Sequence, residues 1–222
     1  MTAETAKIKE EAQWAAGLVE KLANTDGDVK LNGPSLAGCK GVAFLKAAKA
    51  SLGVTVARGN GFVIRKIAQQ DDATGRVRWS APVFFEVSQL GVGVSLGFQS
   101  VTSCQLLLTD QGVSRFAGIE STMGVQMGVV NNDGTGIPAG TVGVTTSVDT
   151  TISAGTVGLC YSLAEGLLVD FSFNGTDTRP DTEFNDMLYG STHVADVLAG
   201  MGPTFPEMQP VYDALSAVMA KK

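Results

Sequence analysis

Between Val29 and Gln70 the sequence has no aspartate or glutamate, although the 222-residue chain carries 22 acidic residues. Other scarcities narrow the possible classes. Aromatic residues make up only 7% of the chain and the net charge is −6. This combination argues against broad nucleic-acid binding, which needs a basic face and rings on which bases can stack. The three cysteines, Cys39, Cys104 and Cys160, are far apart and form no C-x-x-C pair. Neither a disulfide framework nor a zinc site is indicated, and each thiol is expected to be a buried small apolar group. Long apolar runs are absent too: the best candidate, residues 41–57, is interrupted by Lys46 and Lys49 and is too short to cross a bilayer. The first residues hold no apolar run of signal-peptide type. The chain is therefore expected to be cytoplasmic, with any membrane contact peripheral.

Within the acid-free stretch stand Lys30, Lys40, Lys46, Lys49, Arg58, Arg65 and Lys66. Residues 1–80 hold 12 basic and 8 acidic groups, whereas residues 81–222 hold 4 basic and 14 acidic. A run of cations without counter-charge predicts a surface for an anionic partner, and an anionic phospholipid membrane is the first candidate. The candidate lipid-binding residues are Lys40, Lys46, Lys49, Arg58, Arg65 and Lys66. At about 1 kcal/mol each, four cations facing one surface would supply about 4 kcal/mol, which is only millimolar affinity. Tight attachment would then need apolar insertion, a head-group pocket or several copies acting together.

Hydrophobic periodicity places these residues on a fold. Over residues 2–23, Ile8, Ala12, Ala15, Leu18, Val19 and Leu22 recur at helical steps. The opposite face mixes lysines and glutamates, which suits packing or a partner helix better than insertion into a membrane. After a turn-rich connector the period becomes two. Gly59-Asn60-Gly61 predicts a hairpin turn, Pro82 a bulge or strand edge, and residues 91–98 a strand with one bulky face and one nearly bare. A short helix is expected over residues 111–117 with Asp110 as its cap. Further strands are expected in 123–130, 140–152, 156–163 and 166–173, and helices over 182–189, 192–198 and 207–220. Trp79 reads as a core residue with Arg76 and Arg78 on the other face, and Tyr189-Gly190 as a helix end. The result is an α+β fold: an antiparallel β-rich core, barrel- or sandwich-like, with an N-terminal amphipathic helix and C-terminal helices. One domain is expected, comprising an N-terminal helix and connector (1–35), a central body (36–200) and a C-terminal helix packed on it (201–222).

Two chemical patterns are weighed and set aside. Gly93-Val94-Ser95-Leu96-Gly97 fits the G-x-S-x-G nucleophile elbow and His193 follows it, but the elbow needs a strand-to-helix reversal, and period-two alternation runs through Ser95. Asp177, Asp181, Glu183 and Asp186 lack the alternating spacing of a calcium loop and are explained by a helix N-terminus. No catalytic residue, metal or cofactor is expected.

The segments CKGVAFLKAAKASLGVTVARGNGFVIRK and RVRWSAPVFFEVSQLGVGVSLGFQS resemble the opening of SYLF domains, also called Ysc84 actin-binding domains. VTSCQLLLTDQGVSRF, YSLAEGLLVDFSFNG and FNDMLYGSTHVADVLAG follow in the family's order, so the resemblance covers roughly residues 36–200. Its most specific piece is Trp79-Ser80-Ala81-Pro82. The resemblance implies binding to anionic lipids, phosphoinositides and phosphatidic acid among them, binding to actin in some members, and no catalysis. Two departures stand out. Ser103 replaces a common aspartate, and the turn NNDGTGIP lacks the family's arginine. With no SH3 or FYVE module in these residues, partnerships made through such modules are not expected. The reading is a peripheral lipid-binding module; an actin-binding or assembly protein is the alternative, and a carrier of an apolar ligand between glycine-faced strands a further one.

Overall fold

A computed structural model describes residues 2–25, 30–67, 77–116, 125–129, 141–149, 155–167 and 171–221. The first helix, α1 (Ala3–Ala23), starts where the Thr2 hydroxyl accepts the Thr5 amide, and the predicted stripe Ile8, Ala12, Ala15, Leu18, Val19 and Leu22 is buried. The Thr2 side chain also holds the Glu4 carboxyl below its usual range. A short helix, α2 (Gly33–Gly38), occupies the connector, capped by Asn32 and carrying Pro34 in its first turn.

The body of the sheet is a ribbon of two long strands. β1 (Gly41–Ile67) runs antiparallel to β3 (Val83–Leu107), from Gly41 opposite Leu107 to Val63 opposite Val83, with one irregularity between Leu52 and Val54. The hairpin predicted at Gly59-Asn60-Gly61 does not form, because β1 continues through it. Those glycines serve a different need. A Cβ on Gly59 would lie 2.5 Å from the Lys46 carbonyl oxygen, and one on Gly61 would overlap the carbonyl oxygen of Phe44. The two halves of β1 thus lie backbone against backbone, and the missing side chain, not a positive φ, is what the sequence selects there. Pro82 sits in the break between β2 (Arg78–Trp79) and β3, where its lost amide costs no ladder bond.

After α3 (Asp110–Phe116) come β4 (Val125–Val129), β5 (Thr141–Asp149), β6 (Gly155–Leu167) and β7 (Phe171–Pro180). The strand order is β2-β1-β3-β6-β5-β4-β7, all pairings antiparallel. β3 changes partner along its length, its first part pairing with β7 and its last with β6. The expected antiparallel core is thus one sheet with β2 at its edge, not closed into a barrel.

Helices close the chain. These are α4 (Thr182–Tyr189), α5 (Val194–Asp196) running into a π-turn at Val197–Met201, a 3-10 turn at Pro206–Met208, and α6 (Gln209–Ala220). Gly190, at φ 59°, ends α4 as predicted.

Period-two alternation sends successive residues to opposite faces, and each face has its own cover. Phe44, Phe62, Ile64 and Phe84 pack under α1, α2 and α6. Their rings form a chain, 5.1 Å from Phe44 to Phe62 and 5.8 Å on to Phe84, which meets Phe184 edge-on at 4.7 Å. Val63, Val83, Phe85, Val101 and Leu107 pack on the other face against Val113, Tyr189, Val197 and Leu198. Cys39, Cys104 and Cys160 are all buried, as expected. Among the described residues no helix is long and apolar enough to cross a membrane.

Candidate anion-binding surface

The basic residues of the acid-free stretch meet different fates once the chain is folded. Lys46 shares a sheet face with Phe44 and therefore lies under α1. Its ammonium is 2.8 Å from Glu11 Oε1 and 5.2 Å from the centre of the Trp14 ring. Glu11 is only 4% exposed, and Asn60 Nδ2 donates to the same Oε1 at 3.4 Å. Arg65 pairs with Asp110 of α3 at 2.6 Å. Asp110 is thus engaged elsewhere, and the cap predicted for it is supplied by Thr109, whose hydroxyl accepts the Gly112 amide at 3.0 Å. Lys66 donates to the carbonyls of Leu36 and Ala37 at 2.7 and 2.9 Å. Those carbonyls end α2, where a cation is favoured by the helix dipole.

Lys40 and Arg58 are exposed, and neither has an ion-pair partner among the described residues. Lys49 lies in β1 opposite Gln99, and its side chain falls outside the described residues. The backbone of Lys40 bonds to that of Lys66, whereas Arg58 adjoins the close approach of Gly59 to Lys46 and Ala47. Six residues at strand rise, about 20 Å, separate Lys40 from Lys46, the point that Gly59 approaches. The structure therefore brings Lys40, Arg65 and Lys66 together where the two ends of β1 meet and leaves Arg58 apart, within the strand.

Trp79-Ser80-Ala81-Pro82, the most conspicuous motif, is a corner whose backbone is tied to its neighbours, while the buried Trp79 indole N–H has no hydrogen-bond partner among the described residues. Trp79 is 6% exposed, the core position expected of it. Ser80 exchanges bonds with Arg65, its amide donating to the Arg65 carbonyl at 2.8 Å and its hydroxyl accepting the Arg65 amide at 2.9 Å. Tyr212 of α6 donates to the Ser80 carbonyl at 2.8 Å, and Tyr189 of α4 donates to that of Pro82. Burial raises both phenols well above the ordinary tyrosine range, so both keep the proton they donate. Just downstream, Asn185 brackets Phe84 like a strand partner, accepting its amide at 2.9 Å and donating to its carbonyl at 2.8 Å. This corner ties the C-terminal helices to the sheet. Arg78, exposed nearby, donates to the Gly200 carbonyl at 3.3 Å; Arg76 lies outside the described residues.

The part of β1 around Arg58 is open. Register sets Asn60 opposite Glu86 and Arg58 opposite Ser88 across β1–β3. Across β3–β7, Glu86 then faces Arg179. With alternation these side chains share one face, the face that carries Phe62 and Phe84 further along. They line a cleft of about 510 Å³ with Gly59 and Val87. Arg58, Glu86, Ser88 and Arg179 are exposed, and register sets Asp177, whose side chain lies outside the described residues, opposite Ser88. Arg179 and Glu86 escaped the sequence reading because cross-strand register, which no local pattern encodes, brings them to Arg58.

The set-aside patterns stay set aside on geometric grounds. β3 passes through Ser95 without reversal, and His193 is exposed at the start of α5 with no side-chain capping bond. Burial pushes the Cys39 thiol up and the Cys104 thiol well up, the opposite of what a thiolate nucleophile needs. Asp181 caps α4 by accepting the Phe184 amide at 3.1 Å, and Lys7 pairs with it at 3.4 Å. The side chains of the glycine-patterned segment 91–98, invoked for an apolar ligand, lie outside the described residues.

Most of β3, the later strands and the C-terminal helices fall within a match to a known family. The family model described as "Ysc84: Las17-binding protein actin regulator" matches residues 88–218, more than half of the chain. The chain belongs to the Ysc84 family. It is similar to SH3 domain-containing YSC84-like protein 1 of Homo sapiens, of Pongo abelii and of Rattus norvegicus, at 24% identity over 223 residues in each case. The match takes in 96% of this chain and 60% of each relative, so the chain spans about 60% of the length of these curated relatives. No solved structure matches it.

Proposed function

We propose that this chain is a non-enzymatic module, cytoplasmic and peripherally membrane-associated, that binds anionic phospholipids of the phosphoinositide or phosphatidic acid type. The observation that supports this reading is that Lys40 and Arg58 stay exposed without ion-pair partners among the described residues, while Lys46, Arg65 and Lys66 are engaged within the chain. Two such cations contribute about 2 kcal/mol near an anionic leaflet, roughly a 30-fold enrichment. Productive attachment then draws on several copies at one membrane or on a pocket for a head group. α1 is not a free insertion device, because its apolar stripe is already buried against the sheet and α6.

Co-sedimentation with phosphatidylcholine vesicles, with and without phosphatidic acid or a phosphoinositide, tests the proposal at low and high salt. Binding should require the anionic lipid, weaken with salt, and fall several-fold in Lys40→Glu. Equal binding to neutral vesicles would reject it. The family description favours a second reading, in which the module binds actin or an actin regulator. Filament co-sedimentation of the same preparation, with the lipid omitted, separates the two.

A further inference from the structure

The stretch 197–206, between α5 and α6, holds no charged residue. Its root is fixed. Val197 and Leu198 are buried, and the π-turn that they begin contains Gly200 at a φ of 89°, which a side chain would resist. A Cβ on Gly200 would also lie 2.5 Å from Ile67 Cδ1, so the turn is pressed against the last residue of β1. Met201 projects from this turn, 67% exposed. Ala199, Pro203 and Thr204 around it are exposed as well. Arg78, paired with Ile67 across β1–β2, reaches the turn through the Gly200 carbonyl at 3.3 Å. That carbonyl leaves the guanidinium charge unmatched, and Arg78 has no ion-pair partner among the described residues. Lys66, the neighbour of Ile67, donates its amide to the Lys40 carbonyl, so the exposed Lys40 starts from the same seam. The acids that bound the stretch, Asp196 and Glu207, are half-buried and stand five and six residues from Met201.

We propose that Met201 is an apolar anchor that enters an anionic phospholipid leaflet while Arg78 stays with the phosphates at its surface. The inference rests on the lipid reading above and deepens it, adding insertion to the weak attraction of a few cations. A single exposed apolar side chain is ordinary on a protein surface, so the setting of this one matters. The tip inserts without burying a charge, its fixed root leaves little backbone to order on binding, and the adjoining cation is drawn to head-group level. An unbranched thioether adapts to the irregular acyl boundary. Met187 supplies the contrast. It is 56% exposed, but it shares α4 with Glu183 and Asp186, both exposed, and an anionic leaflet repels that helix face.

Vesicles of phosphatidylcholine with phosphatidic acid test this on the whole chain. Met201→Ser should weaken co-sedimentation about five- to tenfold, by the same factor at low and high salt, because the lost contact is apolar. Met201→Leu and Met187→Ser should both bind like the parent. Arg78→Gln, which keeps a donor for the Gly200 carbonyl, should weaken binding several-fold at low salt and little at high salt. These side chains are exposed, so each variant should keep the parent's denaturation midpoint. In Met201→Trp, brominated acyl chains should quench the added indole, read against the parent with its Trp14 and Trp79. Parental binding by Met201→Ser, an equal loss in Met187→Ser, or no added quenching in the vesicle-bound protein would sink the anchor and leave the lipid reading standing. Failure of the parent to bind these vesicles would sink both. Loss of filament co-sedimentation in Met201→Ser with vesicle binding intact would also overturn the anchor, assigning the turn to a protein contact.

Discussion

Two regions of β1 make a controlled comparison, since both carry cations from the same acid-free stretch. At the Lys66 end those cations complete the structure. Arg65 finds Asp110, Lys66 caps α2, and Ser80 stitches the backbone of Arg65 to the Trp79-Ser80-Ala81-Pro82 corner. Around Arg58 the sheet face emerges from beneath α1, and Arg58, Glu86 and Arg179 line an open cleft. A motif that stands out in sequence is here mostly architecture. The candidate site consists of ordinary strand residues whose neighbours were set by register.

Lys46 lies between these regimes and changes how the basic stretch should be tested. Its charge is held by Glu11, whose carboxylate is nearly buried. Glu11 Oε2 has no hydrogen-bond partner among the described residues, so Glu11 depends on Lys46 and Asn60. Reversing Lys46 to Glu would set two carboxylates together under α1, and any lost membrane binding would report a damaged fold. Lys40 and Arg58 are the cleaner probes.

The largest expected effect comes from the close approach within β1. Gly61→Ala places a methyl group against the Phe44 carbonyl and should cost about 3 kcal/mol, read as a lowered denaturation midpoint. A change below about 0.5 kcal/mol would mean that the halves of β1 do not touch. Next comes Lys46→Ala, which strands the Glu11 carboxylate and should cost about 2 kcal/mol, less than a wholly buried pair because Lys46 is partly exposed. Adding Glu11→Gln should recover about half of that loss by removing the orphaned charge; no recovery would show that Lys46 acts through packing on Trp14.

The smallest effect sharpens the structural side of the comparison. Tyr212→Phe removes the bond to the Ser80 carbonyl and should cost about 1 kcal/mol. The sign of its pH dependence follows from linkage. Tyr212 and Tyr189 have folded pKa values raised above the unfolded value near 10, through burial. Their contribution is complete below pH 10 and is lost as pH rises further, because only the unfolded chain then releases the proton. Stability should fall on going above pH 10, and less steeply in Tyr212→Phe. Equal slopes would assign the alkaline loss to other groups.

Much of the fold was legible because it rests on local rules. The stripe of α1, the Gly190 helix end, the period-two strands and the buried cysteines follow from periodicity, a positive-φ requirement and hydropathy. The turn at Gly59-Asn60-Gly61 was misread for a physical reason. Glycine serves both a left-handed turn and a close backbone approach, and only the fold shows which. The Asp110 cap failed similarly, since Thr109 could cap α3 equally well and Arg65 claimed the carboxylate.

The sequence alone determined the family, the α+β composition and the presence of a cationic stretch without local counter-charge, because these depend on residue type and near-neighbour spacing. Tertiary structure decided what that charge does. Electrostatic partners are chosen by distance in space, and it was strand register that set Lys46 on Glu11 and placed Arg58 with Arg179 around Glu86, residues far apart along the chain.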